Sequence, residues 1–160
     1  MTPEEYILRL TEVSGKKYIL MQDILTLTRS QSGTITEDGV DGLEKLIALK
    51  QARIADIDKL DEQFDVYFQR LKQELKIKSL DELKGPNIKG VRELQEVVES
   101  IMSVIREISE IEKQNNENAK KLLNRFGDEV KKLNQSRKVN QAYNTSPAMQ
   151  PPSYFIDKKK

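Results

Sequence analysis

The side chains that could do chemistry are few in kind. The 160-residue chain has no cysteine, no histidine and no tryptophan. Without cysteine there is no disulfide, thiolate nucleophile or thiolate metal site, and without histidine the usual general base and the commonest metal ligand are missing. Carboxylates, lysines, tyrosines and hydroxyls remain. The acidic pairs Asp56 with Asp58 and Asp61 with Glu62 have the type for acid and base work, but they fall on the solvated face of an amphipathic stretch and read as surface charge. Asp38 to Gly42, DGVDG, lacks the length and terminal glutamate of a calcium loop and reads as turn and helix-start chemistry. No glycine-rich phosphate loop, zinc spacing or nucleophile elbow occurs. We therefore assign no catalytic residue, no metal ligand and no cofactor, and expect a protein that is not an enzyme.

The formal net charge is +1, unevenly distributed. From residue 134 onward Arg137, Lys138, Lys158, Lys159 and Lys160 stand against Asp157 alone, so the tail is basic and the rest mildly acidic. A nucleic-acid binder would carry a basic stripe along one face, so nucleic acid is not expected. No apolar run approaches a membrane span, and MTPEEYILRL lacks the basic start and apolar core of a signal peptide, so the expectation is a cytoplasmic protein without stable membrane insertion.

What the chain does contain is helical periodicity. From Leu43 to Leu75 the apolar residues Leu43, Ile47, Ile54, Ile57, Phe64, Phe68, Leu71 and Leu75 recur at helical spacing among charged residues. Lys50 and Asp61 occupy that seam. Polar seam residues can fix register between helices, but a lysine can also send its ammonium out past the apolar edge, and we read Lys50 as snorkelling in this way. Upstream, Thr2 as cap, Pro3 at the first helical position and Glu4 and Glu5 in the first turn predict a helix over about 2–30, with Lys17 on its seam. Gly15 interrupts it and marks a close helix approach or a slight bend. After the SQSGTITEDG break, the second helix is predicted over 37–77. Ser79 and Glu82 have capping-box spacing, which predicts a short helical turn over 79–84. A third helix is predicted over 87–137, polar all round from Glu112 to Asn118, where it could fray or kink.

The predicted fold is all-α: an elongated antiparallel three-helix, coiled-coil-like bundle over 1–138, followed by a flexible, disordered C-terminal tail over 139–160. Helices of about 28, 38 and 50 residues measure roughly 42, 57 and 75 Å, so the first two cannot cover the third. Its distal stripe, Ala119, Leu122, Leu123, Phe126, Val130 and Leu133, is then expected to be uncovered and to bind a partner. The alternatives are a bend at Asn115 to Asn118 that folds the segment back, or pairing of two chains. In the tail, Tyr143, Met149, Tyr154, Phe155 and Ile156 are apolar anchors, either of a short motif that orders on docking or of a staple onto the bundle.

These features together resemble the FlgN-type flagellar export chaperones, in particular their divergent clostridial-like members. The residues carrying the resemblance are Leu43, Leu46, Ile47 and Lys50 in LEKLIALKQ, then Ile54, Ile57, Leu60 and Asp61, and the ending SYFIDKKK from Ser153 to Lys160. The resemblance implies a cytosolic, ATP-independent chaperone that binds the C-terminal helical segments of hook-filament junction proteins. It would prevent their premature assembly and deliver them to the flagellar type III export gate. The distal stripe would hold the client. The tail, through Tyr143, Tyr154, Phe155 and Ile156, would engage the cytoplasmic domain of the gate, with either tyrosine as anchor. The competing expectations are a self-associating coiled-coil scaffold, with the stripe buried in a homodimer, and a helical chaperone or adaptor of another secretion system.

Overall fold

The computed structural model describes residues 1–83 and 88–132. It is an all-α helical bundle of three long helices, with no strand among the described residues. Helix α1 spans Pro3–Ser32, α2 spans Val40–Leu75 and α3 spans Val91–Lys132, with a short 3-10 turn over Leu80–Leu83 before α3. The predicted tail, 139–160, and the last predicted residues of the third helix lie outside the described residues.

The helix ends follow from local chemistry. At the start of α1 the Thr2 hydroxyl accepts from the Glu5 amide at 3.2 Å, and the Glu5 carboxylate accepts from the Thr2 amide at 3.0 Å. This reciprocal box satisfies two donors that the first turn of a helix leaves without partners. Helix α2 stops at Leu75, two residues short of the predicted end, because Lys76 turns left-handed with φ 56°. The Ile77 amide then donates back to the Lys72 carbonyl at 3.2 Å, the closing bond of a Schellman motif. Helix α3 starts later than predicted, at Val91, because Gly90 sits at φ 93° just before it. Between them Glu82 accepts from the amides of Lys78 and Ser79, so the capping-box spacing does organise a turn, in 3-10 form.

All three helices bury side chains on a seven-residue repeat, the spacing of coiled-coil seams. In α1 the repeat runs through the buried positions Ile7, Leu10, Ser14, Lys17, Met21, Ile24, Thr28 and Gln31. In α3 the series Leu94, Ile101, Ile108, Asn115 and Leu122 is buried throughout. The seams are therefore not uniformly apolar: polar residues enter them at Ser14 and Lys17, and again at Thr28, Gln31 and Asn115.

The chain divides into two compact units. Unit 1 joins Met1–Ile24 with Gln51–Ile105. In it α1 and α2 run antiparallel: Lys17 pairs with Asp61 at 2.5 Å, and further along α1 Asp23 meets Arg53, which lies further back on α2. The core of this unit gathers Ile7, Leu10, Leu71, Leu83, Val91 and Leu94, flanked by half-buried Phe64 and Phe68 with ring centroids 5.8 Å apart. Lys72 lies over the Phe68 ring at 5.0 Å, an aromatic contact for a charge that remains at the edge.

Gly15, in unit 1, does not mark a close helix approach. A Cβ built there meets nothing within 4 Å, so no close approach within the chain requires the glycine, and α1 passes through it unbroken. Gly15→Ala is expected to raise stability by about 0.5–1 kcal/mol, since alanine is the better helix former and restricts the unfolded chain. Denaturant unfolding measures it; a loss of stability would contradict the open space.

Candidate functional site

Unit 2 joins Leu25–Lys50 with Arg106–Lys160, of which the described part ends at Lys132. It contains the end of α1, the loop 33–39, the start of α2 and the distal part of α3. The loop is tightly made: a Cβ on Gly39 would lie 2.2 Å from the Thr34 carbonyl oxygen, so only glycine fits there. Its carbonyl accepts from the Leu43 amide and so opens α2.

The distal stripe of α3 falls in this unit. Ala119, Leu122, Leu123, Phe126 and Val130 share one face of the helix, since their spacing keeps within one apolar sector. The expectation that the stripe is uncovered is overturned at Ala119, Leu122 and Val130. Ala119, Leu122 and Val130 are 3%, 2% and 8% exposed, and Leu123 and Phe126 are half-buried. The expectation rested on helix lengths alone, and lengths do not say which segments share a unit: the end of α1, the loop 33–39 and the start of α2 fall in the same compact unit as the stripe. Helix α3 is also continuous through Glu112 to Asn118, with neither fray nor break. Leu133, Tyr143, Tyr154, Phe155 and Ile156 lie outside the described residues.

A second correction concerns Lys50. It does not snorkel: its side chain is 5% exposed, and its ammonium donates to the Glu112 carboxylate at 2.5 Å and to the Gln31 amide oxygen at 2.8 Å. Each partner comes from a different helix. One turn further along α3, the Asn115 side-chain amide donates to the Thr28 carbonyl at 3.1 Å and accepts from the Ser32 hydroxyl at 2.7 Å. The polar run from Glu112 to Asn118 is thus the α3 contribution to a buried polar layer that ties α1, α2 and α3 together within unit 2. Every buried side-chain nitrogen or oxygen among the described residues has a partner, so the layer is hydrogen-bonded as a low-dielectric interior demands.

Sequence reasoning missed Thr28, Gln31, Glu112 and Asn115 as members of this layer. The signal was present in the repeat: Gln31 lies on the Leu10, Lys17, Ile24 series, and Asn115 on the Leu94, Ile101, Ile108 series. The balance of burial in the two units differs accordingly. Among its described residues unit 2 buries six apolar side chains, Leu25, Leu43, Ile108, Ala119, Leu122 and Val130, against four polar ones. Unit 1 buries fourteen apolar side chains against two polar, Ser14 and Lys17.

The arrangement sets a small apolar core beside a hydrogen-bonded polar layer. Among the described residues no cluster of three or more acidic side chains could hold a metal ion, and no helix is long and apolar enough to cross a membrane. Comparison with curated proteins and with solved structures gives no match. The family model described as FlgN protein matches residues 1–151, nearly the whole length of the chain. The chain belongs to the FlgN family of chaperones of flagellar assembly.

Proposed function

We propose that this chain is a cytosolic export chaperone that binds the C-terminal helical segments of hook-filament junction proteins through the distal face of α3. The observation that carries the reading is the single apolar face formed by Ala119, Leu122, Leu123, Phe126 and Val130 in the unit with the smaller apolar core. An amphipathic client helix lays its own apolar stripe on such a face, and a face occupied in this way keeps the client from assembling early. Half-buried Phe126 is at the middle of the stripe, so it is accessible to a client and central to its contact.

Binding of the purified protein to a C-terminal segment of a hook-filament junction protein tests this, with Phe126→Asp as the variant. A charge desolvated at an apolar contact weakens binding, so the variant should lose at least about 10-fold in affinity while circular dichroism shows the helices intact. Equal binding by the folded variant would move the client elsewhere, and no binding by the unaltered protein would turn the reading toward a self-associating scaffold or an adaptor of another secretion system.

Delivery to the export gate rests on the resemblance of the tail. In this reading Tyr143 or Tyr154, with Phe155 and Ile156, docks on the cytoplasmic domain of the gate as an apolar motif in a polar segment. A chain ending at Lys138 should keep its affinity for the client segment within about 3-fold and lose measurable binding to the gate domain. Retained gate binding by the shortened chain would place the gate contact in the bundle.

A further inference from the structure

The proposed client face is largely closed in the free chain, because Ala119, Leu122 and Val130 are buried. A client helix can cover them only after unit 2 has given up some of its own packing. From the composition of that unit we infer that the Lys50, Gln31, Glu112 and Asn115 layer is a latch, across which unit 2 opens to hand its apolar face to an amphipathic helix. The inference rests on the client reading of α3.

The physical argument is a comparison of the two ends of the opening step. In the closed state the layer ties three helices through the Lys50 bonds to Glu112 and Gln31 and the Asn115 bonds to Thr28 and Ser32. On opening, these charged and polar groups recover the hydration they lost on burial, which offsets much of what their mutual bonds contributed. An apolar layer at the same positions would gain nothing from water and would hold the unit shut. With few other buried apolar side chains in the unit, the polar layer lowers the cost of opening where the face must be released, and leaves the apolar core of unit 1 undisturbed. The apparent affinity for a client then scales with the fraction of chains in which unit 2 is open.

The test replaces the layer by apolar side chains of similar size, Gln31→Leu with Lys50→Met and Glu112→Met, and reads thermal stability and affinity for the client segment together. A latch predicts a Tm higher by at least about 5 °C and an affinity lower by at least about 10-fold, mostly through slower association. A stabilised variant that binds the client segment as tightly as the unaltered chain overturns the latch and leaves the layer a register device. Hydrogen exchange on the unaltered chain, without client, gives an independent reading should the variant fold poorly. Backbone amides of 25–50 and 106–132 should exchange at least about 10-fold faster than those of 3–24, 51–75 and 91–105 at comparable helix positions. Uniform exchange over both sets overturns the proposal. If the unaltered chain shows the faster set but does not bind the client segment, the client reading fails and the opening stands.

Discussion

Lys50→Met is expected to cost about 3–5 kcal/mol of stability, and the loss should be largely recovered by adding Glu112→Met. The single substitution removes the cation but leaves the Glu112 carboxylate, 12% exposed, and the Gln31 amide oxygen inside the layer without the donor they share. An uncompensated buried charge is the costly outcome, far more so than loss of the pair as a whole. The magnitude follows from that asymmetry: the pair itself contributes little net, because burying both ions cost about as much hydration as their attraction returned. Removing both ions should therefore bring stability back to within about 1 kcal/mol of the original chain, or higher. Denaturant unfolding of the chain, the two single variants and the double variant forms a cycle that isolates the coupling. Two single variants that each lose under about 1 kcal/mol, with no coupling in the double, would mean that water reaches the layer and that Lys50 is solvated after all.

The same pair shows why part of the site could not be read from the chain in order. The long helices, their seams and the Thr2 to Glu5 box rest on interactions between residues three to seven apart, and these are written in the local sequence. Lys50 was equally visible on its seam, but whether a seam lysine turns outward or stays inside depends on what faces it. Its carboxylate partner is 62 residues away on α3, and the Asn115 to Thr28 bond spans 87 residues. Nothing local distinguishes that lysine from one that snorkels. The distal stripe has the same history: the common face of Ala119, Leu122, Phe126 and Val130 is a matter of spacing and was legible, whereas their burial depends on which segments share unit 2. The Lys76 end of α2 is a further case. A lysine in the left-handed conformation is unfavourable alone, and it is adopted because Ile77 gains a backbone bond to Lys72 and half-buried packing against the core of unit 1.

Leu94→Ala should destabilise the chain by about 2–5 kcal/mol, for a reason opposite in kind to that of Lys50. Leu94 is 1% exposed and belongs to the cluster of Ile7, Leu10, Leu71, Leu83 and Val91, where the segments of all three helices and the 3-10 turn meet inside unit 1. Truncation removes the transfer free energy of the lost carbons and leaves a cavity that rigid helices on several sides cannot fully close. No second substitution at a polar partner can restore it, because the loss is of volume and not of charge balance. Only a side chain of similar volume does so, and Leu94→Met should cost less than about 1.5 kcal/mol. The two substitutions also report on different units, so their effects should add within about 0.5 kcal/mol when combined. Site-resolved hydrogen exchange separates them: Leu94→Ala should speed exchange across Met1–Ile24 and Gln51–Ile105, and Lys50→Met across Leu25–Lys50 and the described part of α3 from Arg106. If each variant instead speeds exchange equally throughout, the two compact units open as one, and the polar layer then governs the stability of the whole bundle.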